Sequence, residues 1–153
     1  MEVARRLEAV LEPSVFDLKV AVATQSREFV DQHFGQTEAL LIYGISDSEC
    51  QLIRATEFPV PKAERSHGAL PAKIAELSDC NAVICNAIGN AVVLKLMDKQ
   101  IMPIVVFEQK PIRSVLEELQ TQLREDRPLW MTRILAKREK PPSLERLLDE
   151  PWN

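Results

Sequence analysis

Apolar residues along the chain follow two rhythms. Compact runs containing β-branched residues occur at Leu18 to Thr24 (LKVAVAT), Glu38 to Ile45 (EALLIYGI), Gln51 to Phe58 (QLIRATEF), Asn81 to Cys85 (NAVIC) and Pro103 to Phe107 (PIVVF). Each has the length of a strand. Elsewhere the spacing is helical. Val3, Leu7, Val10 and Leu11 predict a short N-terminal amphipathic helix closed by Pro13. Leu70, Ile74 and Leu77 predict a helix whose Pro71 fits only its first turn, and Ala91, Leu94 and Leu96 begin a second. Ile112, Val115, Leu116, Leu119 and Leu123 line one face of a third, and Trp130, Met131, Ile134 and Leu135 fit a fourth. Pro141-Pro142 breaks that pattern before a last amphipathic turn at Leu144, Leu147 and Leu148. The Pro-rich polar stretch from Pro59 to Gly68 reads as an exposed loop.

The order of these elements restricts the topology. Ser46 to Cys50 is a polar connection of hairpin length, so the first three strands form an antiparallel meander. Each later strand follows a helix and therefore lies parallel to a neighbour. An α/β fold with a five-stranded mixed sheet of order 3-2-1-4-5, flanked by helices, satisfies both conditions, and this is also the ribonuclease-H-like order. Its first and fourth strands are parallel neighbours whose connections leave in opposite directions, and ligands bind outside the carboxyl ends of strands at such a switch point. Two segments are expected there: the loop after Thr24, which carries His33, and the turn from Asn86 to Gly89, which opens the second helix. A core of residues 17–126 would then carry helical extensions at 1–16 and 127–153.

Composition narrows the function. A chain of 153 residues is most economically one soluble globular unit, and no apolar run approaches the roughly 20 residues of a membrane span. Acidic residues among the first eight, with no long apolar centre, argue against a signal peptide and for a cytoplasmic protein. A net charge of −4 disfavours generic binding to a nucleic-acid backbone. Cys50, Cys80 and Cys85 form neither an even disulfide framework nor a C-x-x-C pair, and the separation of Cys80 and Cys85 argues against joint ligation from one strand face. Both read as small hydrophobes.

His33 is the leading candidate for chemistry. It lies between Asp31 and Gly35 after a buried strand, and two readings compete. In one the imidazole only stabilises its loop; in the other it is a metal or cofactor ligand oriented by Asp31 through its second nitrogen. His67, before Gly68 in a loop able to fold over the crevice, is the weaker candidate. The Asn86 to Asn90 turn would present N–H groups and a helix N-terminus to an anion, with Gly89 allowing close approach, although G-x-G-x-x-G spacing is absent. Lys19, Arg27, Lys62 and Arg65 could offset a ligand's charge if they face the crevice. Two-metal nuclease chemistry requires carboxylates on the central strands, and neither Leu18 to Thr24 nor Asn81 to Cys85 contains one. No nucleophile elbow, P-loop or H-E-x-x-H motif is present, and two histidines leave little material for a catalytic triad.

LKVAVAT, followed by Val30-Asp31-Gln32-His33-Phe34-Gly35 and by Leu41-Ile42-Tyr43-Gly44, resembles the dinitrogenase iron-molybdenum cofactor biosynthesis family, the NifX/NafY-type proteins of nitrogen-fixing bacteria. His67-Gly68, the segment DCNAVICNAIG from Asp79 to Gly89, and Gln100 to Ile104 extend the likeness, which covers about Asp17 to Arg124. The resemblance implies a ribonuclease-H-like fold without nuclease activity. It would hold the iron-molybdenum cofactor, or its iron–sulfur precursor, in passage between cofactor-assembly proteins and apo-dinitrogenase. It places the family's cofactor-binding histidine on His33, and with it Asp31, Phe34, Gly35, Asn86, Gly89 and His67 form the expected site. The chain departs from the family pattern at Lys99-Gln100, where a glycine often stands, and at Asn86 to Gly89, which has one glycine where many members have two. A preassembled cluster brings its own sulfides, so a carrier needs to supply little more than one imidazole. The alternatives are a module that docks on apo-dinitrogenase without binding a cluster, with Trp130 and Trp152 as contacts, or a small metal-linked regulator or redox protein.

Overall fold

The computed structural model describes residues 3–8, 16–59 and 70–139. Chain order runs β1 (Arg5–Glu8), β2 (Leu18–Thr24), β3 (Phe29–Val30), β4 (Ala39–Ile45), β5 (Cys50–Glu57), α1 (Leu70–Glu76), β6 (Ala82–Cys85), α2 (Asn90–Asp98), β7 (Met102–Val105), β8 (Lys110–Pro111), α3 (Ile112–Glu125) and α4 (Leu129–Glu139). The His67 candidate, Lys62 and Arg65, and the turn expected at Leu144 to Leu148, lie outside the described residues. Among those residues no helix is long and apolar enough to cross a membrane.

β2 is the centre of a mixed sheet. Its seven residues pair antiparallel with β4 from Leu18↔Ile45 to Thr24↔Ala39, and its middle pairs parallel with β6 from Val20↔Ala82 to Val22↔Ile84. A strand flanked on both sides and covered on both faces can be apolar at every position, and only Lys19 in β2 escapes full burial. The sheet order is β1-β5-β4-β2-β6-β7. The five strands expected from the sequence thus stand side by side in the expected succession, but the sheet has six strands rather than five.

The sixth is a correction. Arg5–Glu8, expected to be helical, is an edge strand antiparallel to β5, in a register that sets Arg5 opposite Glu57 and Glu8 opposite Arg54. Opposite charges face one another across the ladder, and Arg6 reaches Glu76 Oε1 at 2.7 Å. Cross-strand charge and the open edge of β5 outweigh the helical spacing of Val3 and Leu7; Leu7 is left 56% exposed.

Alternation along β2 builds two cores. Leu18, Val20 and Val22 join Ile112, Val115, Leu116, Leu119 and Leu123 of α3 with Met131 and Leu135 of α4. Met131 and Leu135 of α4 are therefore part of the main core. Ala21 and Ala23 face the other way, into a cluster with Phe34, Leu77, Cys85 and Leu96. Cys80 belongs to this same cluster, lying before β6 rather than on it, so the strand-face argument that separated it from Cys85 does not hold. Burial raises both thiols, to about 12 for Cys80 and about 11 for Cys85. In α2 the expected stripe is rotated: Leu96 is buried with Val92 against the same core, while Leu94 is 70% exposed.

Charge fixes α1 on the sheet. Arg54, 9% exposed, donates to Glu76 Oε2 at 2.9 Å and to both Asp79 oxygens at 3.1 and 2.9 Å. Thr56 donates to Glu76 Oε2 at 2.6 Å. The hydrogen bonds from Arg54 hold Asp79 down at about 2. Burial disfavours the Glu76 charge, but its bonds to Arg6 and Thr56 prevail and keep it below the ordinary range.

Candidate functional site

The loop leaving β2 closes on itself. The Thr24 hydroxyl donates to the Phe29 carbonyl at 2.6 Å and accepts the Arg27 N–H at 2.9 Å, with Arg27 in the left-handed region at φ 68°. The Asp31 carboxylate accepts the N–H groups of Gln25 at 2.7 Å and Ser26 at 3.3 Å. Burial opposes its charge, yet these donors outweigh it and hold Asp31 below the usual carboxylate range. Asp31 therefore shapes the loop. It does not orient His33, because its oxygens are engaged by residues 24–26.

From Gln32 the chain runs beside the end of β6. The Asn86 N–H donates to the Gln32 carbonyl and the Phe34 N–H to the Ala87 carbonyl, both at 2.9 Å, and His33 pairs parallel with Ala87. The loop after Thr24 and the turn after Cys85 thus meet, as the topology argument requires. The Asn86 side chain acts as a clamp: its Nδ2 donates to the carbonyls of Val30 at 3.0 Å, Val106 at 3.0 Å and Glu108 at 3.3 Å. This ties the loops after β2, β6 and β7 together. Its amide N–H groups face the protein, so Asn86 offers no free donor to a ligand.

His33, Phe34 and Gly35 divide the work of one short turn. Phe34 opens the 3₁₀ turn Phe34–Gln36 and is wholly buried, which makes it the anchor of the turn and not a surface contact. His33, immediately before it, is exposed, and its imidazole makes no hydrogen bond or ion pair with the described residues. Gly35 and Gly89 have ordinary negative φ, and a Cβ at either would meet nothing within 4 Å. At Gly44, by contrast, a Cβ would strike the Phe16 ring at 2.5 Å. Packing explains Gly44 and leaves the two site glycines facing open space. Gly89 also caps α2 with no side-chain bond to the helix; its carbonyl accepts the N–H groups of Val92 and Val93 at 3.1 and 3.0 Å, which leaves those of Asn90 and Ala91 without a capping side chain.

Of the expected surface cations, the two among the described residues are paired elsewhere. Lys19 lies at the opposite end of β2 and pairs with Asp79 at 3.4 Å, and Arg27 pairs with Glu57 at 2.6 Å. A different cation reaches the turn. Lys73 of α1, only 1% exposed, donates from Nζ to the Gly35 carbonyl at 2.8 Å and lies 5.6 Å from the centroid of the Phe58 ring. Burial pushes it down to about 8. Its signal was in the sequence: position 73 is three after Leu70 and four before Leu77, on the apolar stripe where a lysine is out of place. Among the described residues no group of three or more His, Cys, Asp or Glu side chains could hold a metal ion. The arrangement suits a visitor that needs one imidazole and backbone donors, not an ion that needs a full ligand set.

Fold and candidate site together define a mixed α/β domain with an exposed imidazole at the rim shared by two parallel central strands. The sequence profile of the family described as dinitrogenase iron-molybdenum cofactor matches residues 17–122, and the chain belongs to that family. Among curated proteins it is 37% identical to protein NifX of Azotobacter vinelandii over 124 residues, covering 81% of this chain and 78% of the relative. It is 31% identical to protein NifX of Klebsiella pneumoniae over 133 residues, covering 81% and 85%. Among solved structures, a candidate NifB protein from Thermotoga superimposes with a TM-score of 0.50 at 15% identity over 69% of this chain and 90% of that one, a likeness of fold alone.

Proposed function

We propose that this chain is a non-enzymatic carrier that binds the iron-molybdenum cofactor, or its iron–sulfur precursor, through His33 and passes it on towards apo-dinitrogenase. Membership of the family and the NifX relatives support the general role. One observation carries the specific reading: the His33 imidazole stands exposed and without a partner among the described residues, on a turn fixed from below, beside two glycines open to space. The cluster is cargo here. It would bring its sulfides, the imidazole would supply one bond, and N–H groups at the start of α2 would face its negative charge. A single protein ligand also suits release, since each additional one would slow it. His67 would be a lesser contact to the cargo, not a second ligand.

The test is anaerobic. Wild-type protein mixed with the isolated cofactor, and separately with its iron–sulfur precursor, is expected to co-elute with iron and visible absorption, and His33→Ala to lose most of that signal. Absence of both from wild type would remove the carrier reading, and full retention by His33→Ala would remove the ligand assignment. A second reading, docking on apo-dinitrogenase without a cluster, draws on Phe107. This residue is 91% exposed between Val106 and Glu108, whose carbonyls the Asn86 clamp holds at the same rim. Capture of apo-dinitrogenase by cluster-free protein, lost in Phe107→Ala, would favour it.

A further inference from the structure

We propose that Lys73 is a positioning residue for His33: its buried ammonium grips the Gly35 carbonyl and, through that single peptide unit, sets the turn that holds the imidazole at the rim. The inference rests on the reading of His33 as the ligand and extends it to a side chain that never touches the cargo.

The geometry is a short relay. Lys73 Nζ donates to the Gly35 oxygen at 2.8 Å, and the N–H of the same peptide unit, on Gln36, donates to the His33 carbonyl at 3.1 Å. A charge-assisted bond at one end of a peptide strengthens the donor at its other end. The ammonium therefore acts on the bond that closes the turn over His33, while Phe34 between them is held by burial and by its N–H bond to Ala87.

Among the described residues little besides the Phe58 ring and the Gly35 carbonyl stabilises the charge. Lys73 has three N–H donors, and the Gly35 carbonyl is the sole acceptor found for them among the described residues. Nor does any carboxylate of those residues come within ion-pair distance, whereas the neighbouring Arg54 has contacts to Glu8, Glu76 and Asp79. A buried ammonium with no counter-ion among the described residues is unfavourable, and a methionine of similar length would remove that cost while still packing on Phe58. What methionine cannot do is hold the Gly35 carbonyl.

Lys73→Met and Lys73→Gln separate the roles, Gln being a neutral donor. Lys73→Met is expected to keep or raise the urea midpoint while binding the isolated iron-molybdenum cofactor about tenfold more weakly, the scale of one lost hydrogen bond to a charged group. Its Gln36 amide should exchange with solvent faster by a similar factor, and Lys73→Gln should lie between it and wild type in both. Cofactor affinity and Gln36 exchange equal to wild type in Lys73→Met would overturn the proposal. So would a lowered midpoint with unchanged affinity in the folded fraction, which would make the lysine purely structural. If wild type does not retain the cofactor, the His33 reading has failed, and Gln36 exchange, which needs no cargo, decides the relay alone: faster supports it, unchanged overturns it.

Discussion

Glycine residues in this chain have opposite reasons for being small, and alanine substitution should tell them apart. At Gly44 a methyl would press on the Phe16 ring and on Ile53 at 2.8 Å, an overpacking expected to lower stability by about 1–3 kcal/mol in urea unfolding. At Gly89 a methyl meets nothing, so Gly89→Ala should stay within about 0.5 kcal/mol of wild type and instead weaken cofactor retention, if the cluster comes close to the backbone there. Equal stability losses at both positions would refute the distinction. Lys73 gives a residue-scale test by pH. It falls from an ordinary 10.5 to about 8 because it is buried, facing the Gly35 carbonyl and the Phe58 ring with no carboxylate of the described residues beside it. Between those values the unfolded chain binds the extra proton, so the folded state gains stability as pH rises through the window and loses it as pH falls back towards 8. The stability gap between Lys73→Met and wild type, in which the buried thiols cancel, should narrow by about 3 kcal/mol from pH 8 to 10.5. A gap that does not change with pH would show the lysine to be uncharged or solvated. His33 was legible as a candidate from its place after a buried strand. The role of Asp31 was not: a carboxylate two residues from a histidine can equally close its own loop, and three bonds to residues 24–26 show that Asp31 does so.

Elements meet at Asn86, and its clamp sets the shape of the rim. Asn86→Ala would strip a donor from the carbonyls of Val30, Val106 and Glu108, at a cost of about 1–3 kcal/mol, and should speed amide exchange in residues 29–34 and 106–111 together. Loosening of only one segment would contradict a shared clamp. Strand and helix positions within the central region followed from periodicity because burial on both sides of β2 demands unbroken apolar runs. Two elements escaped that logic. Arg5–Glu8 has no buried side chain, and its place is decided by Glu57, Arg54 and Glu76, far away in sequence. In α2 two apolar faces compete, and packing selects Val92 and Leu96 over Leu94. Phe107, expected within the last strand, lies beyond the end of β7 at the rim.

Seen as a whole, the molecule was most legible in its connectivity: helices between the later strands force parallel pairing, and parallel pairing of β2 with β6 brings the His33 loop to the Ala87 turn. The charge balance of the site was least legible, since Lys19 and Arg27 are spent elsewhere and a buried lysine reaches the turn from α1. The account stands on the His33 imidazole as the one protein bond to a visiting cluster. It is tested most directly by pulsed electron paramagnetic resonance of the isolated cofactor bound to protein labelled with ¹⁵N-histidine. The prediction is a histidine nitrogen coupling that survives His67→Ala and vanishes in His33→Ala; a bound cofactor without that coupling, or one that keeps it in His33→Ala, would contradict the account.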